Sequence, residues 1–136
     1  MDHRAEIRFP PQSPVAQPAD PSSILVNHHR VESVELGVQI LSGGHLFHLA
    51  LASCIFNNVY RLASEGNIEI TEARVIVDGD FDDEGSTGVS CEIELAGSAD
   101  EEILRALALE AESQSTIGAT IRKGTEVTLQ DVRVGG

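Results

Sequence analysis

His45-Leu46-Phe47-His48-Leu49-Ala50-Leu51-Ala52-Ser53-Cys54-Ile55-Phe56 is the stretch on which the fold turns. Between positions 46 and 56 only His48 and Ser53 are clearly polar. A helix drawn through these residues is apolar almost all round, and such a helix is buried on every side rather than laid on a surface. Asn57, Asn58 and Arg61 restore polarity further on. Gly66 then ends the helix, because glycine tolerates a left-handed backbone. Ser42-Gly43-Gly44 breaks the chain upstream. The pattern predicts a helix over 45–65 at the centre of the molecule.

Working outward, Ile24-Leu25-Val26 and residues 34–40 are rich in β-branched residues and predict strands, with Gly37 marking a bulge. Residues 67–81 predict a long strand in which Ala73, Val75 and Val77 share a face. Residues 82–88 form an acidic, glycine-bearing loop. Residues 89–95 form the antiparallel return, with Val89, Cys91, Ile93 and Leu95 on one face and Ser90, Glu92 and Glu94 on the other. Ser98 and Glu101 have the spacing of a capping box and open a second helix. Its stripe is Ile103, Leu104, Leu107, Ala108 and Ala111, and it continues toward Ser115. Residues 125–134 predict a closing strand. Strand pairs separated by single helices give an α+β fold with a mostly antiparallel sheet. All five prolines lie within the first 21 residues. Residues 1–21 therefore read as a Pro-rich N-terminal arm, and residues 22–136 as a single domain.

Composition narrows the function classes. The chain of 136 residues carries 22 acidic and 9 basic side chains, a net charge of −13. That field repels phosphate, so no nucleic-acid partner is expected, and no membrane surface for the same reason. No apolar run reaches the ~20 residues of a membrane span. The first nine residues lack the apolar core of an export signal, so a cytoplasmic location is expected. Two cysteines make no disulfide scaffold and fit a reducing compartment. What remains is a small enzyme or a binding module for a small molecule.

Cys54 has two readings: a small apolar core residue, or a nucleophile. The N-terminus of its own helix is more than two turns away, so a reactive thiolate needs a cation brought by tertiary structure. Arg61 lies two turns along the same face and points away. Cys91, on an apolar strand face, reads as core. His28, His29, His45 and His48 have no strong metal-ligand spacing, and no metal is expected. Asp78-Gly79-Asp80-Phe81-Asp82 opens like a calcium loop. It fails at Asp83, where glycine belongs, and at Val89, where a glutamate belongs. The terminal Gly135-Gly136 is shared with ubiquitin-like sulfur carriers, but a second long helix does not fit that core.

Three features together resemble the family of osmotically inducible protein C and the organic hydroperoxide resistance protein (OsmC/Ohr). The first is Gly43-Gly44-His45 running through Ser53-Cys54. The second is Gly66-Asn67-Ile68-Glu69-Ile70 leading into Val75-Ile76-Val77. The third is Ala111-Glu112-Ser113-Gln114-Ser115-Thr116 followed by Val127-Thr128-Leu129. The resemblance spans roughly residues 41–134. It implies an intertwined homodimer in which antiparallel sheets wrap two central helices, with N-terminal strands contributing to the partner, and no cofactor.

In that family a cysteine attacks a hydroperoxide, a second cysteine resolves the sulfenic acid as a disulfide, and a dithiol restores it. An arginine lowers the thiol pKa and a glutamate orients the arginine. Here Cys54 takes the peroxidatic position. The resolving position falls on Ser115, with Thr116 replacing the usual proline. The glutamate position falls on Gly44, with His45 beside it. Arg30 is the best match to the arginine, and Arg8 the next. Two functions follow from the resemblance. One is a one-cysteine hydroperoxide reductase of the oxidative-stress response, with a degenerate catalytic set, acting on an organic hydroperoxide with an external thiol reductant. The alternative is a non-catalytic protein that binds a small apolar molecule at the dimer interface. In that alternative Gly44 leaves a gap beside Cys54 lined by Phe47 and Leu51, with His45, His48 or Ser115 supplying polar contact.

Overall fold

The computed structural model describes residues 3–11, 23–38 and 40–135. Among these the elements run β1 (Ala5–Phe9), β2 (Ser23–Asn27), β3 (Ser33–Val38), α1 (Gly43–Glu65), β4 (Ile70–Asp82), β5 (Gly85–Gly97), α2 (Glu101–Ser113) and α3 (Thr116–Lys123). The strands form one sheet in the order β2-β3-β1-β4-β5, antiparallel at every pairing. The fold is α+β, as the sequence predicts.

The central helix forms where the apolar run predicts it, and its ends have local causes. Ser42 caps the start, its hydroxyl accepting the His45 N–H at 3.2 Å. At the other end the Gly66 N–H closes on the Leu62 carbonyl at 3.0 Å. Asn67 then turns the chain away at φ 56°, a region where asparagine is among the few side chains tolerated. One broad face of α1 (Ala52, Ile55, Phe56, Val59) packs on the sheet face made by Ile7, Val34, Ala73, Val75 and Val77. Each large side chain so buried contributes about 1.5–3 kcal/mol. Phe56 is the largest of them, and its truncation to alanine would cost about 3–5 kcal/mol.

Helix α1 is not buried on every side within one chain: Leu46 and Ala50 are exposed. The prediction took apolar character as a measure of burial, but a single sheet covers only one side of a helix.

The opposite sheet face is charged. Arg8 stands opposite Glu35 on β3 and Arg74 on β4. An ion ladder crosses the strands from Arg74 to Glu6 (2.7 Å), from Glu6 to Arg8 (2.9 Å) and from Arg8 to Glu35 (3.0 Å). Burial raises the Glu6 pKa, but the hydrogen bond and charge of Arg74, with Arg8 and Arg4, bring it below the usual carboxylate value.

Several expectations are corrected. The arm over residues 1–21 does not hold for Ala5–Phe9, which form β1 in the middle of the sheet. The Ala5, Ile7, Phe9 alternation precedes the prolines and reads as a strand on its own; residues 12–22 of the arm lie outside the described residues. The acidic loop over 82–88 is mostly ladder: Asp82 pairs with Gly85, and only Asp83 and Glu84 make the turn. Helix α2 is capped by Asp100, which accepts the Ile103 N–H, and not by Ser98. Ser98 instead bonds the Glu69 backbone in both directions. The helix ends at Ser113, and a third helix, absent from the sequence reading, follows. Residues 125–134 pair with no strand in the described residues. A strand requires a ladder partner, and alternation alone does not supply one.

Candidate active site

Helix α3 is built on Ser115. The side chain of Ser115 caps it, accepting the Gly118 N–H at 2.9 Å, and the residue is 2% exposed. Gly124 ends the helix at φ 72°, and Arg122 and Lys123 sit in its last turn, where cations complement the carbonyl end. The free amides of its first turn are left facing α1. Asn58 of α1 donates to the Ala111 carbonyl of α2 at 3.0 Å and holds the two helices together.

Cys54, one turn before Asn58, is thereby brought to the start of α3. Its Sγ lies 3.8 Å from Thr116 Oγ1. Burial alone raises the thiol pKa. The Ser115 side chain, the Ile117 backbone, and the hydroxyl and backbone of Thr116 outweigh it, and the pKa falls below the ordinary thiol value. The physical cause is the open end of a helix: unpaired N–H groups and the positive pole of the peptide dipoles favour a thiolate over a thiol. The sequence required a cation for this effect. The structure supplies amides and hydroxyls instead, from a helix that is not Cys54's own.

The arginines are elsewhere. Arg30 donates from Nε to Asn57 Oδ1 at 3.1 Å, about one turn along α1 from Cys54. Arg8 is held in the ion ladder on the far face of the sheet. Arg61 bonds Gln114 at 2.6 Å and Glu65 at 3.3 Å.

Gly44 opens no gap. A Cβ there would lie 2.6 Å from His3 Cδ2 and 2.7 Å from Phe81 Cε2, so the space is already filled. Ten residues of helix also separate it from Cys54 by about 15 Å. His45 and His48 are fully buried at that remote end of α1. His45 Nδ1 and Ser42 Oγ are 2.6 Å apart. His48 Nδ1 bonds the His3 carbonyl at 2.7 Å and its ring stacks on Phe81. Gly79 leaves room for that ring, since a Cβ would meet His48 Nε2 at 2.9 Å. Phe47 joins the same aromatic cluster, and Leu51 belongs to the core. Of the residues assigned to binding, Gly44, His45, Phe47 and His48 gather toward the start of α1, Leu51 lies in the core, and Ser115 precedes the Thr116 that meets Cys54.

Cys91 is half-buried rather than core. It lines a cavity of about 740 Å³ between β5 and α2, with Ile93, Leu95, Leu104, Ala108 and Glu112. Burial, and then the Glu112 carboxylate, push its thiol up, only partly offset by Arg122. Among the described residues no three His, Cys, Asp or Glu side chains converge so as to hold a metal ion. Among the same residues no helix is long and apolar enough to cross a membrane.

What sequence reasoning missed is α3, and with it the environment of the thiol. The available signal was Ser115-Thr116-Ile117-Gly118: a capping hydroxyl three residues before an amide, closed by Gly124.

Comparison with known proteins bears on residues 37–130, which match the family model for OsmC-like proteins. A solved structure described as an OsmC-like hydroperoxide resistance protein from Jannaschia sp. CCS1 is similar to the chain at 14% identity and a TM-score of 0.48. That match covers 98% of this chain and 95% of the other. No curated protein matches significantly in sequence.

Proposed function

The chain belongs to the OsmC-like family, and from that premise we propose that it is a one-cysteine thiol peroxidase of the cytosol that reduces organic hydroperoxides at Cys54. The observation that carries this reading is the seat of the Cys54 sulfur on the first turn of α3, where hydroxyls and amides lower its pKa against burial. The thiolate attacks one peroxide oxygen of ROOH. An S–O bond forms, the O–O bond breaks, and the departing alkoxide takes a proton to leave as ROH. Sulfur is oxidised by two electrons to the sulfenic acid and the peroxide is reduced. An external thiol then condenses with the sulfenic acid, releasing water and leaving a mixed disulfide. A second thiol displaces Cys54 as its thiol and departs in an external disulfide. Ser115 has no sulfur to offer, so no internal disulfide closes on it.

The test is a dimedone trap and a consumption assay with cumene hydroperoxide and an external dithiol. The expected result is a single dimedone adduct on Cys54 and dithiol-dependent turnover without a Cys54–Cys91 disulfide. Absence of both adduct and turnover would sink the reading. The alternative, a non-catalytic protein holding a small apolar molecule, is favoured by one observation, the cavity beside Cys91. It requires a Cys54 pKa near or above the free value of ~8.5.

The working unit of this proposal is a homodimer. Val127 and Val134 are 92% and 94% exposed, and Leu41, Leu109, Leu129 and Val132 are also mostly in water. Apolar side chains exposed on this scale mark a surface that another chain covers. The alternation of Val127 with Leu129, and of Val132 with Val134, fits a strand whose ladder partner is in a second copy. Light scattering should give twice the chain mass at micromolar concentration, and a Val127→Asp/Leu129→Asp variant should shift it to the monomer. A wild type that stays monomeric refutes the dimer.

A further inference from the structure

The turn after β2 carries the one arginine that has no carboxylate partner among the described residues. Each of the other seven arginines lies within 3.7 Å of a carboxylate oxygen. In a chain of net charge −13 a guanidinium without a carboxylate is the exception. Arg30 is held instead by an amide oxygen and an imidazole nitrogen. Its Nε donates to Asn57 Oδ1 at 3.1 Å, and its backbone N–H donates to His28 Nδ1 at 3.1 Å. The His28 ring meets Phe56 edge-on and stacks on His29. Burial, then the charges of His29 and Arg30, hold the His28 pKa below the ordinary imidazole value, so Nδ1 stays an acceptor at neutral pH. The two bonds fix the backbone and aim the side chain of Arg30. Neither engages its Nη groups, the fork that suits a carboxylate.

Arg30 stands at a cavity of about 390 Å³. His29, Tyr60, Ala63, Ser64 and Ile68 complete the lining, and none of these side chains is a carboxylate. Tyr60 brings a second unmatched group. Its hydroxyl oxygen is buried and has no hydrogen-bond partner. Its ring is held by Phe9 and Phe56, with centroids 6.0 and 5.0 Å away. Burial pushes the Tyr60 pKa well above the ordinary phenol value, so the hydroxyl keeps its proton and stays a donor. A buried donor left unpaired destabilises the fold unless something supplies an acceptor. A cation, hydroxyl donors and an apolar wall thus share one lining with no competing negative charge.

We propose that this cavity binds a small carboxylate with a short apolar body. The Nη fork of Arg30 takes the carboxylate, which also supplies the acceptor that the Tyr60 hydroxyl lacks. The body lies on Tyr60, Ala63 and Ile68. The proposal does not rest on the chemistry at Cys54, and its test reads binding rather than turnover, so either can fail alone.

Tyr60 is the only tyrosine of the chain, and there is no tryptophan, so intrinsic emission reports this cavity directly. The experiment titrates the full-length protein with hexanoate at about pH 8, where exposed histidines are mostly neutral. Hexanol, with the chain and no charge, and inorganic phosphate, with charge and no chain, serve as comparators. The expected result is a saturable change in tyrosine emission with hexanoate, and binding of both comparators weaker by about tenfold or more. Arg30→Gln should weaken hexanoate by about tenfold, and Arg30→Lys, which keeps the charge without the fork, by less. Tyr60→Phe, followed by calorimetry, should weaken hexanoate by about threefold and leave the urea midpoint at or above wild type, because it removes an unpaired donor. No saturable change with hexanoate overturns the proposal. So does hexanol or phosphate binding as tightly as hexanoate, or an unchanged affinity in Arg30→Gln. The comparison of the three probes needs no variant, so a variant that fails to fold leaves the proposal decidable.

Discussion

The two cysteines sit in the same small fold with opposite chemistry. Both are half-buried and free. Desolvation pushes both thiols up, and it is the largest single influence on each. What separates them is the direction of the surrounding dipoles. Cys54 faces the amide end of α3 and the Thr116 hydroxyl, while Cys91 faces a cavity rimmed by the Glu112 carboxylate. Burial is thus a poor guide to thiol reactivity, and the local supply of hydrogen-bond donors decides the sign.

Removing each thiol in turn breaks the comparison most directly. Cys54→Ser should lower hydroperoxide consumption to the rate of the buffer, a loss of about a hundredfold or more for a covalent nucleophile. Cys91→Ser should stay within about twofold, because its thiolate fraction is small. A reversed ranking in the coupled dithiol assay would place the chemistry in the cavity beside β5.

The next effect is kinetic. In native protein at neutral pH, mass-mapped alkylation should label Cys54 before Cys91, by about tenfold for each unit between their pKa values. The signs set the pH window. The lowered Cys54 pKa puts the inflection of its rate at lower pH than that of a free thiol, whereas the raised Cys91 pKa puts its inflection at higher pH. Equal labelling at every pH would erase the distinction.

A smaller effect tests whether the Cys54 environment is local. Gly44→Ala forces a methyl into His3 and Phe81 and should destabilise the fold by about 1–3 kcal/mol in urea. The alkylation inflection of Cys54 should not move, because the clash lies at the far end of α1. A shifted inflection would mean that the glycine still acts on the sulfur.

The smallest effect lies on the opposite sheet face. The Glu6 pKa is lowered in the fold, so its ionised form stabilises the protein above the ordinary carboxylate value of ~4.3. That contribution is lost as pH falls through the lowered folded value. Glu6→Gln should cost about 1 kcal/mol at neutral pH, and the gap to wild type should close on acidification, as read from urea midpoints. Cys54 labelling should be unchanged. A gap that stays constant down to pH 2 would mean that the ladder contributes no ionic stabilisation.

Much of the architecture was legible along the chain. The apolar run after Ser42 fixed α1 and placed Cys54 on it, because a helix repeats every 3.6 residues and its apolar excess is a local property. Alternation at Ala73, Val75 and Val77 fixed the face of β4 that meets α1. The motif resemblance singled out Cys54 and Ser115 as a pair. It failed at Gly44, His45 and His48, because it assumed that a missing side chain leaves a hole, and His3 with Phe81 had filled it. It also failed at residues 125–134, which alternate but pair with no strand among the described residues.

The sequence by itself determined the central helix, the long β4–β5 hairpin and the apolar stripe of α2, and which cysteine lies on the central helix. Only the tertiary structure decided what surrounds that cysteine. Cys54 and Thr116 are 62 residues apart, and no periodicity relates them. Their meeting depends on α2 ending at Gln114, on Ser115 starting a new helix, and on Asn58 tying α1 to α2. Hydrogen-bond donors act on a thiolate over a few ångströms, so its pKa is set by whichever chain segments packing brings that close.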